Sequence, residues 1–517
     1  MQLGTHILDR RLRGFVTQRM AIWLGIAAAM VVVAGAITLV ANAAGSAAPS
    51  GIAVRSASGQ PAARILSGSP DAITADLARD LFTSAPAVVV ADDGSHDLAA
   101  AAAIAGRLHA PVIMVHGPQP TAASIGPARA AIAALHPGVV LAVGVTAAAL
   151  KADLPAIKVV SKSSALPHIA AVSADRHLVV LIHRGESTVD AAVTATAEVA
   201  GVRVITASSY DPQTQPAVIK ALAAARPVHV IAVGAGFGST AELTARVSVA
   251  ETGMQLPGGG QLLFPMRKFV ALYGNPTTPA LGALGQQDLT ASIARARAVA
   301  GQYSTLSRVP VVPAFEIIAT IAQGSPGRSG GFTYETKPAA LLPWVKAATA
   351  AGMYVILDLQ PGRDNFLAQA RLYRSLLRRP NVGLALDPEW KLQPRQLPLH
   401  QIGSVHISEV NSVVRWLAHL TAQYRLPQKL LELHQFRLSM IDGESRLDTS
   451  HSDLAIVINM DGQGAPVTKA QTWAAIVSAA PKGVYFGWKD FYVKDKPMLD
   501  PRRTVRRSPR PVLISYQ

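Results

Sequence analysis

The 517-residue sequence contains no cysteine. That absence excludes a disulfide framework, a thiol nucleophile, thiolate-held zinc or iron–sulfur sites, and a lipidated N-terminal cysteine. Charge is also scarce, at 15% of residues, and acidic groups are outnumbered: 32 Asp and Glu stand against 48 Lys and Arg, a net +16. Several catalytic signatures are missing as well. No Gly-x-Gly-x-x-Gly loop marks a dinucleotide site, and Gly94 belongs to none, so no cofactor is expected. No Gly-x-Ser-x-Gly elbow follows a strand, which disfavours a serine hydrolase, and no His-Glu-x-x-His pair supports a zinc protease. What is abundant is apolar character, at 50% of residues, which is too much for a disordered chain. The length fits two to four domains. The basic excess points to an anionic partner, whose kind depends on where the charge lies.

Residues 1–20 form a basic segment with Arg10, Arg11, Arg13 and Arg19 against Asp9. An apolar segment follows at 21–43, uncharged throughout. A helix of about 20 residues spans about 30 Å, one hydrocarbon core. Basic residues before it predict a cytoplasmic N-terminus and an extracytoplasmic remainder. The expected location is therefore the cell membrane, as a single-pass protein. A cleaved signal ending in Ala41-Asn42-Ala43 is the alternative, which would make the protein secreted. Either way nucleic acid is not the expected partner. Residues 44–65, small and polar, are expected to be a linker.

Two similar series follow. Strand-like apolar runs at 87–91, 112–115 and 139–144 are separated by helical stretches at 95–108 and 121–135, which predicts a buried parallel sheet. The series returns about 90 residues later, at 177–182, 202–205 and 228–234, with Asp97 and Asp190, and Gly144 and Gly234, at corresponding places. That period is a duplicated domain, at 66–165 and 166–258. The residues VVVADDGSHDLAAAAAIAG (88–106), PVIMV (111–115) and VVLAVG (139–144) resemble the cell wall-binding repeat 2 family, with the second copy degenerate. The resemblance implies Rossmann-like α/β units that hold an anionic wall polymer without a covalent bond. The family usually carries three tandem copies, and this chain has two.

From 262 the composition changes, with five of six Trp and nine of ten Tyr beyond residue 255. Eight strand-like runs, at 269–273, 309–316, 353–359, 382–387, 429–434, 454–459, 483–488 and 512–516, alternate with helical stretches. This predicts a (β/α)₈-like barrel over 262–517, with an irregular basic final connection at 494–511. The fold class is thus α/β: a membrane helix, a duplicated Rossmann-like module, then a barrel. In such barrels chemistry sits at the C-terminal strand ends. There the runs place Tyr273, Glu316, Asp358, Gln360, Asp387, Glu389, Trp390, His434, Gln435, Asp461, Trp488 and Lys489.

Asp387 and Glu389, two apart in an extended segment, are expected to point to one side, as glycoside hydrolysis requires of its acid and its nucleophile or base. Glu316 or Asp358 is the alternative partner across the barrel, and Asp461 is a further candidate catalytic carboxylate. Trp390 and Trp488 are candidate sugar platforms. Tyr273, Gln360, Arg363, His434, Gln435 and Lys489 are candidate substrate contacts. A metal reading uses Glu316, Asp358, Glu389, His434 and Asp461 as ligands of a divalent ion. Segments 269–285, 312–320, 355–363, 384–390 and 433–441 look like the C-terminal region of actinobacterial exported proteins that carry wall-binding repeats, a resemblance that lends no activity.

The expected function is an envelope protein that associates with a wall polysaccharide or other anionic polymer and hydrolyses a glycan. The alternatives are a non-catalytic scaffold and a divalent-metal enzyme. The charge then divides. Residues 51–254 hold 14 basic and 14 acidic residues, whereas 255–517 hold 30 and 17. The repeats are neutral and the barrel carries the excess, so electrostatic attraction of an anion belongs to the barrel.

Overall fold

The computed structural model describes residues 51–517 apart from 174, 186 and 328. The basic segment 1–20, the apolar segment 21–43 and the start of the expected linker lie outside the described residues. Among the described residues no helix is long and apolar enough to cross a membrane.

The chain forms two compact units. The first comprises 51–55, 69–174 and 188–201, and the second 56–68, 175–187 and 202–517. In the first unit a four-stranded sheet pairs Val112–Val115, Ala87–Asp92, Val139–Val143 and Lys158–Val160 in that order, all parallel. Its first three strands are mostly buried Val, Ile and Ala, as a sheet covered on both faces requires, while the edge strand Lys158–Val160 is partly exposed. Gly144 ends the third strand at φ +68°, and a Cβ there would lie 2.5 Å from the Asp97 side chain. The two motif residues therefore meet, and glycine is needed for both the backbone and the space.

In the second unit a sheet orders Ala63–Leu66, His229–Val233, Asp175–His183 and Val202–Ala207, again all parallel. The expected linker 44–65 thus ends in a strand. Ala63–Leu66 holds the edge place beside His229–Val233 that Lys158–Val160 holds beside Val139–Val143. The compact units also cut across the expected boundary at 165/166. Helix Ser187–Val199 lies largely in the first unit, where Ala192 and Ala195 join its core and Thr196 Oγ1 bonds the Val112 backbone at both N (3.0 Å) and O (3.2 Å).

Beyond residue 262 eight parallel strands close into a barrel. They are β1 (Lys268–Gly274), β2 (Val311–Ala322), β3 (Tyr354–Leu359), β4 (Val382–Leu386), β5 (Lys429–Gln435), β6 (Leu454–Met460), β7 (Tyr485–Asp490) and β8 (Leu513–Tyr516). Each pairs with its successor, and β8 pairs with β1, Phe269 opposite Leu513. Thr333–Glu335 adds an antiparallel extension to β2. Helices cover β1 to β4 and β6, but the β5–β6 connection has 3₁₀ turns and the short strand Ile441–Asp442 with no α-helix, and the β7–β8 connection one short helix, Pro501–Thr504.

Side-chain alternation builds two cores. Val270, Phe315, Val355, Leu384, Leu431 and Ile456 face outward and pack with helix residues such as Val299, Val345 and Val413. Phe269, Val312, Tyr354, Leu430, Ala455 and Leu513 fill the lower interior. Continuing the inward parity upward gives Tyr273, Glu316, Asp358, Asp387, Glu432, His434, Asn459, Asp461, Lys489 and Ser515. The barrel is greasy at its base and polar at its mouth. Gly487 makes room at that level, since a Cβ there would lie 2.8 Å from the Asn459 side chain.

Candidate active site

His434 is the hub of the polar layer. Its Nε2 lies 3.0 Å from Glu316 Oε1, 3.5 Å from Glu432 Oε1 and 3.8 Å from Asp358 Oδ1, and its Nδ1 lies 3.3 Å from Asp461 Oδ2. Tyr273 Oη donates to Asp358 Oδ2 at 3.0 Å and accepts from Gln360 Nε2 at 3.3 Å. Lys489 Nζ sits 3.3 Å from the centre of the Tyr273 ring. Asn459 Nδ2 donates to Glu432 Oε1. Strand ends from β1, β2, β3, β5, β6 and β7 thus converge through side chains that are fully or almost fully buried.

Six carboxyl groups (Glu316, Asp358, Asp387, Glu389, Glu432 and Asp461) share this environment with two cations. Burial disfavours the charged form of an acid, and neighbouring like charges add to that. Burial, then Glu316, pushes Glu432 up to about 8. Burial raises Asp358 to about 6. Burial, then Glu389 and Asp358, holds Asp387 well above the usual carboxylate range. Burial, then Asp461, pushes Glu389 up to about 7. The cations respond in the opposite sense. Burial alone would lower His434, but Glu432, Asp461 and Glu316 outweigh it and keep the imidazole protonated. Lys489 likewise stays charged against burial, held by Glu316, Asp461, Asp387 and Asp358. Within this layer Asp358, Asp387, Glu389 and Glu432 hold protons more tightly than ordinary carboxyl groups.

Above it opens a cleft of about 400 Å³, lined among others by Tyr273, Gln360, Glu389, Trp390, Asp461 and Lys489. Trp390 also borders an adjoining depression of about 380 Å³ under the loop at 398–402. Glu389 and Asp461 are the carboxylates that line this cleft. Asp387, only 1% exposed, lies beneath it with Glu316 and Asp358.

Several expected placements are corrected. Asp387 and Glu389 do not lie in an extended segment. Asp387 follows β4 directly, and Pro388–Trp390 turns as a 3₁₀ helix, which lifts Glu389 to the rim while Asp387 stays inside. Trp488 is no platform. It has outward parity, is fully buried, and packs on Trp473 at 5.6 Å. Gln435 also faces outward, donating to Glu444 Oε2 at 2.8 Å. Arg363 is absent from the cleft lining. It stacks 4.4 Å over the Phe332 ring and donates to the Gln396 carbonyl at 3.0 Å. Glu432 was not among the expected residues, although its position two before His434 on one strand gives it the same facing.

The fold and site define a barrel with a carboxylate-rich mouth. Comparison of the chain with protein-family models, with curated proteins and with solved structures gives no match.

Proposed function

We propose that this chain is an envelope glycosidase in which Glu389 is the general acid and Asp461 its carboxylate partner. The carrying observation is that these two carboxylates line one cleft, with burial and then the charge of Asp461 raising Glu389 to about 7. A carboxylic acid that keeps its proton near neutrality beside a second carboxylate is what glycosidic bond cleavage needs. Trp390, on the cleft wall, offers a flat apolar face for a sugar ring. The two four-stranded sheets, with their matching strand order and the Asp97–Gly144 contact, support a wall-binding module of the kind the repeats resemble. The apolar segment 21–43 supports a membrane tether or an export signal.

The test is incubation of the full chain with wall polysaccharides, scoring new reducing ends. Release by the unmodified protein is expected, and failure on every wall polymer would overturn the assignment. Trp390→Ala should weaken substrate binding by about 1–2 kcal/mol, a KM rise on the order of 10-fold with little change in kcat.

A divalent-cation enzyme is the second reading, favoured by one observation. Glu316, Glu432 and His434 each offer a ligand atom, and these lie within 4.8 Å of one another, all buried. Glu432→Gln separates the two readings. Without a cation, the folded state holds a proton on Glu432 between about pH 4.5 and 8 that the unfolded chain has released, so wild-type stability falls as pH rises through that window. The Gln variant should therefore gain stability relative to wild type as pH rises, by at most about 1.4 kcal/mol per pH unit. In the cation reading the same variant loses stability and bound metal, measurable by denaturation and by elemental analysis.

A further inference from the structure

At the opposite end of the barrel, beneath the N-terminal ends of β1, β2 and β8, lies a cavity of about 640 Å³. Its lining includes Arg267, Lys268, Arg308, Arg502, Arg506 and Arg510, and no acidic side chain. Three separate segments supply these cations: the entry to β1, the approach to β2, and the connection into β8. Arg308, Arg502, Arg506 and Arg510 are exposed, and none of their side chains has an ion pair or hydrogen-bond partner among the described residues. Arg267 is different in kind. It is 1% exposed and donates to the carbonyls of Pro257, Gly259 and Leu262, so one guanidinium forms a fixed wall. Its Nε has no partner. Lys268 donates to the Pro511 carbonyl, and burial, then the charge of Arg510, lowers its pKa.

Like charges drawn from three segments repel one another, and folding alone gives no reason to collect them. Neighbouring Arg503, outside this lining, has a carboxylate partner, lying 3.5 Å from Asp500. Here no acid is supplied, which leaves the balancing charge to a ligand. Guanidinium forks match phosphate oxygens two at a time. A single carboxylate could not balance six cations, whereas a diphosphate concentrates several charges in a small volume. The cavity exceeds a bare diphosphate, and Val505 contributes to an apolar part of the wall. We propose that this pocket binds the phosphate groups of a multiply phosphorylated ligand, either a soluble organic diphosphate or the phosphate headgroup of a lipid. It is separate from the acidic cleft and does not depend on the glycosidase assignment.

The test titrates the full chain with inorganic pyrophosphate and, separately, with dioctanoylglycerol pyrophosphate, a short-chain lipid with a diphosphate headgroup. The variants are Arg502→Gln/Arg506→Gln/Arg510→Gln and an equally neutralised control, Arg371→Gln/Arg395→Gln/Arg415→Gln, exposed elsewhere on the barrel domain. The pocket variant should bind about 10-fold more weakly or worse. The control should stay within about 2-fold of wild type, and raised salt should weaken wild-type binding. Tighter binding of pyrophosphate identifies a soluble ligand, and tighter binding of the lipid a headgroup. Circular dichroism checks that both variants fold. No binding of either probe by the wild type, equal binding by wild type and pocket variant, or equal loss in both variants would overturn the proposal.

Discussion

Replacing Glu389 with Gln is expected to lower kcat/KM on the cleaved glycan by about 10²–10⁴-fold, the usual contribution of a positioned general acid. Gln has nearly the shape of Glu and cannot donate the proton. Substrate binding should therefore change little, and kcat should carry the loss. The pH profile gives a second measurement. Glu389 sits near 7 because burial and the charge of Asp461 oppose its ionisation. As an acid it must be protonated to work, so wild-type activity should fall as pH rises through about 7. In Glu389→Gln that alkaline limb should vanish from the residual rate. Asp461→Asn removes the charge that raises Glu389, so any residual activity should show its limb at lower pH. A Glu389→Gln enzyme within about 3-fold of wild type would remove Glu389 from the mechanism, since an acid's contribution begins near 10².

Trp488→Ala is expected to cost about 3–5 kcal/mol of folding stability, measured by chemical denaturation, the range for emptying a buried aromatic site. The indole is fully buried among Ile458, Met460, Trp473, Ile476 and Leu499. Its Nε1–H donates to Asp490 Oδ1 at 2.7 Å, and Lys469 Nζ lies 4.7 Å from its ring. Truncation would remove the packing and also take a partner from a carboxyl that burial has already pushed up to about 6. A sugar platform would behave in the opposite way, losing ligand binding with the fold intact. The contrast with Trp390→Ala separates a rim aromatic from a core one.

The difference between these two tryptophans marks how far the sequence could be read. All eight barrel strands were legible, because each is an apolar run of strand length set apart by helix-length spacing. The polar strand ends were legible too, as a break in those runs. Facing was not. In a strand the side chains alternate, so an error of one residue at the end exchanges inside for outside. The run at 483–488 stops at Trp488, whereas β7 continues to Asp490 and turns Lys489 inward. Glu432 was hidden because it lies within an apolar strand rather than at its end. Asp387 and Glu389 were read as neighbours on one extended face, but a 3₁₀ turn at Pro388 set them at different depths.

The charge shows the same division. By itself the sequence determined that the barrel half carries the excess of basic residues, because a count by segment needs no geometry. It also determined the strand number, the repeated α/β pattern and the absence of thiol chemistry. Only the tertiary structure decided how the charge is separated. Closing the barrel brings strand C-terminal ends from across 273–489 to one mouth, where burial and neighbouring carboxylates raise the pKa of Asp358, Asp387, Glu389 and Glu432. The same closure gathers cations from 267 to 510 beneath the other end. Residues separated by more than 200 positions cannot interact until β8 pairs with β1. The chemistry of both ends is therefore a property of the closed ring rather than of any local segment.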